Sequence, residues 1–346
     1  MSKSCLTLLL LSACLAACSA QSAPQADNTP PVDATYISAT VASLQSLIEQ
    51  KYFNEAAIPR INSSLAGALA GGDLSQSKDL NELAARLTSV LYESTHDKHL
   101  FVSVSAPSVH GGGTPQMTRA EAARLSNYGM KAAKVLEGNV GYLEVTSFYR
   151  RDEGAETIDA AMRFLARTDA LILDFRNNGG GSPETAVQLL SYFFAEPNLT
   201  LFAIVPRSGE TEVERTVQAG VAYRDESRPL YILVSAHTWS AGEGVPFLLQ
   251  ERSRAKVIGE TTAGAANPAA PYHINPALSV TIPFGRIESA VKKTNWEGVG
   301  VAPDTVVSPD KAFQEAYVQA LEEILARTSD SSKRQALSSA LVNARK

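Results

Sequence analysis

The chain has 346 residues, of which 45% are hydrophobic and 19% charged, and a formal net charge of −5. That length suits one large domain or two modest ones, and the apolar share is ordinary for a soluble globular fold. The mild acidity excludes the basic footprint expected of a nucleic-acid-binding protein.

Cys5, Cys14 and Cys18 are the only cysteines, so the rest of the chain has no disulfide, thiolate metal site or cysteine nucleophile available. Lys3 followed by an apolar run from Leu6 to Ala17 reads as a signal peptide over residues 1–17. At roughly 12 residues the run is too short to cross a bilayer. It ends in Leu15-Ala16-Ala17-Cys18, the pattern of a bacterial lipobox, in which cleavage precedes a cysteine that becomes lipid-modified. Ordinary secretion with cleavage after Ala20 is the alternative. A multiply acylated Cys18 would anchor the chain stably, whereas a single acyl chain binds marginally. Ser19 favours outer-membrane sorting by resemblance to Gram-negative lipoproteins, which puts the expected location at the periplasmic face of the cell envelope. Residues 18–34, rich in Ser, Ala, Gln and Pro, read as a lipidated tether.

Leu44, Leu47 and Ile48, then Leu65 and Leu69, then Leu80, Leu83, Leu87 and Leu91 recur at helical spacing and predict about three helices in an N-terminal region over 35–98. The runs H-L-F-V-S-V-S from His99 and Y-L-E-V-T-S-F from Tyr142 switch to strand periodicity. Beyond them the pattern alternates. A helix over 155–167 leads into a strand over 170–175, a glycine-rich turn and a helix over 183–195. A β-like stretch over 201–205, a strand over 230–234, a helix over 241–251 and a strand over 256–259 follow. Apolar strands separated by helical patterns imply an α/β core with parallel pairs, here over 99–330. Helical stretches over 311–326 and 332–345 close the chain, the second forming a C-terminal helix over 331–346.

Four segments carry chemistry. L-I-L-D-F-R-N-N-G-G-G-S, from Leu171 to Ser182, is a buried strand running into three glycines and a helix, and ligands gather at the carboxyl ends of such strands. It has neither G-K-[ST] nor G-x-G-x-x-G spacing, so an oxyanion-binding turn fits better than a phosphate cradle. A purely structural crossover is the alternative. V-S-A-H-T-W-S-A-G-E, from Val234 to Glu243, puts Ser240 at a helix N-terminus, where free N–H groups and the dipole favour developing negative charge. Ser240-x-x-Glu243 is equally a capping box, and the G-x-S-x-G elbow is absent. T-N-W-E-G-V-G-V-A-P-D, from Thr294 to Asp304, places Glu297 beside a tryptophan and two glycines, although alone it reads as a solvated loop acid. T-H-D-K-H-L, from Thr95, offers His96 and His99 around Asp97, a weak ligand set, and no metal is expected.

Taken in order, His99, D-F-R-N-N-G-G-G, T-W-S-A-G-E, G-E-T-T-A-G-A-A-N-P and N-W-E-G-V-G-V-A-P-D resemble the tail-specific (C-terminal-processing) serine peptidase superfamily. They look most like the branch related to interphotoreceptor retinoid-binding protein and the tricorn protease core, over about residues 36–320. The resemblance implies an α/β (α+β) fold, a ClpP/crotonase-like α/β core with a small helical N-terminal region. It also implies Ser240 as nucleophile, His99 as base, Glu297 as its support, and the backbone N–H groups of Gly180 and Ala241 as an oxyanion hole. The chemistry is coherent: a serine hydroxyl is a weak nucleophile until a neutral imidazole takes its proton, and a carboxylate then fixes the tautomer and stabilises the imidazolium. Lysine-using members carry a lysine after the glycine of the later G-E-x-T-x-G run. Ala265 stands there in this chain and Lys256 only starts a strand, which argues against a Ser/Lys dyad. Two features depart from the pattern. Lys98 precedes His99 where the tricorn-like branch has a linking serine, and residues 102–127 are too few for the PDZ domain of the tail-specific enzymes. Recognition of C-terminal tails by β-augmentation on a PDZ domain is therefore not expected. The expected activity is cofactor-free hydrolysis of peptide bonds in peptides or unfolded proteins, with no nucleic-acid partner. The alternatives are a non-catalytic module binding apolar, retinoid- or lipid-like ligands, and an esterase or other acyl hydrolase using the same serine.

Overall fold

The computed structural model describes residues 30–105, 117–218 and 220–346. The expected signal peptide, Cys18 and nearly all of the tether lie outside the described residues. Among those described, no helix is long and apolar enough to cross a membrane.

Three helices open the fold: α1 (Ala34–Lys51), α2 (Ile58–Ala70) and α3 (Leu80–Thr95). The Asp33 side chain accepts the Tyr36 N–H and the Asp79 side chain that of Glu82, capping α1 and α3. Each helix buries one stripe, Ile37, Val41, Leu44 and Ile48 on α1 and Leu80, Leu83, Leu87 and Leu91 on α3. α3 stops at His96, whose left-handed φ of 57° turns the chain while its N–H bonds to the Tyr92 carbonyl. That turn delivers Asp97 and His99 to the start of β1 (Phe101–Val104).

The chain continues through α4 (Arg119–Leu125), β2 (Met130–Leu136), β3 (Val140–Val145), α5 (Arg151–Phe164) and β4 (Ala170–Asp174). Next come α6 (Pro183–Leu190), β5 (Thr200–Pro206), β6 (Glu212–Arg215), β7 (Leu230–Val234), α7 (Ala241–Gln250) and β8 (Lys256–Gly259). β9 (Ala269–Asn275), β10 (Leu278–Pro283), β11 (Gly285–Ser289), β12 (Thr305–Val306), α8 (Pro309–Arg327) and α9 (Ser331–Ala344) complete it. The helix expected over 183–195 is shorter, giving way after Leu190 to a tight turn over Ser191–Phe193 that buries Tyr192 and Phe193.

Six strands form the central sheet in the order β12-β8-β7-β4-β3-β2, with only β2 antiparallel. Every residue of β4 and β7 is buried, as parallel strands covered on both faces require, and this is why they read as unbroken apolar runs. Alternate side chains go to opposite faces. Leu171, Leu173, Ile232 and Val234 pack toward residues of α5, α6 and α7, while Ile172, Tyr231 and Leu233 meet Ala312, Ala316 and Ala320 of α8. This is the α/β architecture expected from the alternation.

Two antiparallel sheets, β1-β10-β9 and β11-β5-β6, were not foreseen. The first closes the helical region: Val102, Ile274, Leu278, Val280 and Ile282 complete the core of α1, α2 and α3. Through the β1–β10 ladder, the α3–β1 turn carrying His99 is fixed against the main body. The turns after β4 and β7 lie side by side, joined by the Trp239 N–H to the Asn178 carbonyl at 2.9 Å and the Thr238 hydroxyl to the Phe175 carbonyl at 2.8 Å.

Candidate active site

Ser240 lies between β7 and α7 with φ 54° and ψ −124°, a strained conformation for a residue other than glycine, costing about 1–3 kcal/mol. What holds it is Glu243. This fully buried carboxylate accepts the Ser240 and Ala265 N–H groups, both at 2.9 Å, and the Gly264 N–H and Thr262 hydroxyl, both at 2.6 Å. Burial pushes the Glu243 carboxyl above its ordinary range and the four donors pull it back. The cap and the approach to the imidazole therefore coexist: a capping box ties Ser240 to Glu243, and Ser240 Oγ stands 3.1 Å from His99 Nε2.

The glycine turn after β4 presses on the same serine. Gly180 has φ +82°, and a Cβ there would stand 2.7 Å from Ser240 Cβ and 2.8 Å from the Trp239 carbonyl oxygen, so the close approach requires glycine. Gly180 does not, however, offer the free N–H expected of it, because that group donates to Asn178 Oδ1 at 2.8 Å. Of the residues of these turns that line the cleft beside Ser240, Ala241 and Gly181 are those whose N–H groups have no acceptor among the described residues.

His99 is 9% exposed. Its backbone N–H donates to Asp97 Oδ1 at 3.0 Å and its ring meets Trp239 edge-on at 5.6 Å. Burial pushes the imidazole down to about 4, so it is neutral near pH 7 and able to accept a proton. Its Nδ1 is buried without a hydrogen-bond partner among the described residues, and so is Glu297 Oε1. A ring nitrogen of His99 and carboxylate oxygens of Glu297 and Asp97 all lie within 4.8 Å of one another. A protonated Nδ1 and a carboxylate oxygen are complementary donor and acceptor, and such contacts often tighten only when substrate binds. Glu297 Oε2 accepts the Ala266 and Asn267 N–H groups at 2.6 and 3.0 Å. Burial, and then the neighbouring Asp97, push its carboxyl up to about 7. Glu297 is thus a built part of the site rather than a solvated loop acid.

The other candidates separate cleanly. His96 is an exposed helix terminus facing Tyr92. Lys98 sends its ammonium to the Ala263 carbonyl, while its backbone N–H faces Glu297. Ala265 is buried, its carbonyl accepting the Trp296 indole N–H at 3.1 Å. Lys256 lies over Tyr231 beside Glu323 of α8. Asp97, His99 and Glu297 have the donor types of a cation site. A cation there would have to displace the N–H and O–H donors that already occupy Asp97 and Glu297 Oε2.

Beside Ser240 opens a cleft of about 530 Å³ whose wall includes Val187, Leu190, Phe202, Ile204, Val245 and Leu248. Phe202 and Ile204 of β5 pair across the ladder with Glu214 and Glu212 of β6, which line the same cleft. Asp97, Asn178 and Glu243 are parts of the site that sequence reasoning did not assign. Glu243 was visible as a cap, but its further donors come from the loop after β8.

Two family models match the chain. One, described as peptidase family S41, covers residues 139–307, and the other, the N-terminal domain of peptidase S41 in eukaryotic IRBP, covers 34–132. A carboxyl-terminal-processing protease of Synechocystis is 28% identical over 171 residues, 49% of this chain and 38% of the relative. The chain matches well under half the length of such curated relatives. Among solved structures, a lipoprotein from Streptococcus agalactiae has a TM-score of 0.53 at 17% identity, covering 83% of this chain and 96% of that one. The tricorn protease has a TM-score of 0.51 at 12% identity, covering 90% of this chain and 37% of that one. These structures share the fold, while the two family models together run from α1 to β12. The chain belongs to peptidase family S41.

Proposed function

We propose that this chain is a cell-envelope serine peptidase that hydrolyses peptide bonds through an acyl-enzyme, with Ser240 as nucleophile, His99 as general base and Glu297 as its support. The observation that carries this reading is the 3.1 Å separation of Ser240 Oγ and His99 Nε2 on a strained, glycine-packed turn. Ser240 Oγ attacks the scissile carbonyl carbon as its proton passes to Nε2. The carbonyl π pair moves onto oxygen, giving a tetrahedral oxyanion. Collapse breaks the C–N bond, and the Nε2 proton leaves with the amine. Water then repeats the sequence on the ester, regenerating Ser240. Glu297 keeps the Nδ1 proton in place and offsets the imidazolium charge. The Ala241 N–H, with Gly181 in place of Gly180, is the donor set for the oxyanion, each donor contributing about 3 kcal/mol to the transition state. The apolar cleft takes an aliphatic or aromatic substrate side chain.

An apolar cleft would equally hold a lipid-like ligand, but a binding module has no use for a neutral imidazole aligned on a strained serine. An esterase would share the acyl-enzyme and differ in substrate. Incubation with peptide and ester libraries separates the three: the proposal expects peptide cleavage that Ser240→Ala abolishes. Ester turnover without peptide cleavage, or binding without turnover, contradicts it. The envelope location rests on the signal-peptide pattern and on lipidation of Cys18. Cys18→Ser should move the protein from the membrane to the soluble fraction, and unchanged membrane association would refute the anchor.

A further inference from the structure

Asp97 takes no part in the mechanism above, yet it lies where several segments meet. It is 3% exposed. Its Oδ1 accepts the His99 backbone N–H at 3.0 Å, and its Oδ2 accepts the Asn267 side-chain N–H at 2.9 Å and the Tyr52 hydroxyl at 3.4 Å. Tyr52 caps the end of α1, and Asn267 lies in the loop before β9. A carboxylate is costly to bury without a counter-charge, and the ammonium of the adjacent Lys98 is directed to the Ala263 carbonyl. Three donors thus hold a buried acid where a well-packed apolar group would avoid the cost of desolvating a charge.

We propose that Asp97 is a positioning residue for the proposed catalytic pair: it fixes His99 through the backbone and sets a second negative charge against the imidazole and Glu297. This rests on the assignment of Ser240, His99 and Glu297 given above. The bond from the His99 N–H to the aspartate two residues earlier is a local side-chain turn that sets where β1 starts and where the ring projects. The 4.8 Å cluster then gives Asp97 opposite effects on its two neighbours. It favours the imidazolium formed as Ser240 attacks, and it resists ionisation of Glu297, whose carboxyl is held near 7 partly by Asp97. The groups facing this cluster are Tyr52 from α1, Asp97, Lys98 and His99 from the α3–β1 turn, and Glu297 from the loop after β11.

The test uses the full chain and the acylation of Ser240 by a fluorophosphonate, followed as rate against pH. The wild type should gain rate through about pH 7 as Glu297 ionises. In Asp97→Asn that limb should move to lower pH by about one unit. The maximal acylation rate at pH 8.5 should fall roughly tenfold, with the half-saturating probe concentration within about twofold. Tyr52→Phe removes a donor but leaves the charge, so its limb should stay within about 0.3 unit of wild type. An unmoved limb in Asp97→Asn, or the same limb shift in both variants, would overturn the proposal and leave Asp97 a structural residue. If Asp97→Asn does not fold, carboxyl ¹³C titration of the wild type decides. Asp97 must be charged while Glu297 takes up its proton, and an Asp97 that is neutral in that range overturns the proposal. A wild type that is not acylated at Ser240 fails the parent assignment instead, and this one with it.

Discussion

Gly180→Ala tests whether the glycine turn sets the position of Ser240. The new methyl would lie 2.7 Å from Ser240 Cβ and 2.8 Å from the Trp239 carbonyl oxygen. Non-bonded carbons prefer about 3.5–4.0 Å, so the two turns must part by roughly 1 Å. Neither neighbour is the free end of a flexible side chain: Ser240 is held through Glu243, and the Trp239 N–H is bonded to the Asn178 carbonyl. An alanine at φ +82° adds about 1–2 kcal/mol of backbone strain. Overpacking and strain together should lower stability by about 2–4 kcal/mol. A 1 Å displacement of Ser240 from His99 should cost roughly 100-fold in reactivity. The assay pairs denaturant unfolding with the second-order rate of fluorophosphonate acylation. A folded Gly180→Ala protein acylated within about threefold of wild type would show that the glycine turn does not set the position of Ser240.

Acid should destabilise the fold through His99. Its imidazole is held near 4 against an ordinary 6.5, so between those values the unfolded chain binds the extra proton and stability falls as pH drops. At 1.36 kcal/mol per pH unit, roughly 3 kcal/mol is lost by pH 4. Unfolding at pH 4 and pH 7 should show that loss reduced in His99→Gln, and an equal loss in both proteins would count against it. Glu297 works in the opposite sense. Its carboxyl is raised to about 7 from 4.5, so its protonated form adds stability below pH 4.5 that is lost as pH rises through 7. Glu297→Gln should therefore flatten that decline and remove the acid limb of acylation; retention of the limb would show that another group controls it. Glu243→Gln replaces one oxygen by NH₂ and so sets it against the two donors that oxygen accepts, two of the four bonds. It should cost about 2–4 kcal/mol, read by thermal melting, and a wild-type melt would remove Glu243 as the brace of Ser240.

The readable parts of the sequence were those where one face or a whole strand is buried. Leu44 and Ile48 of the buried stripe on α1 show as helical spacing, and β4 and β7 show as continuous apolar runs because both faces of the central sheet are covered. The β9–β10 hairpin was not readable, since Pro268, Pro271 and a bulge at Leu278 break its alternation and its partner β1 lies far away in sequence. Which N–H of the three glycines is free was equally hidden. It depends on Asn178 turning its side chain back onto Gly180. Asp97 looked like a weak ligand between two histidines because its partners, Tyr52 and Asn267, come from segments brought together only by folding. Glu297 is a candidate only through the order of motifs, and the Ala266 and Asn267 N–H groups that it accepts could not be read locally.

Ser240 as nucleophile is tested most directly by mass spectrometry of the fluorophosphonate adduct on wild type, Ser240→Ala and His99→Ala. A single adduct on Ser240 is expected in the wild type, none in Ser240→Ala, and acylation slowed by at least about 100-fold in His99→Ala. Undiminished labelling of Ser240→Ala, or a folded wild type that the probe never modifies, would contradict that role.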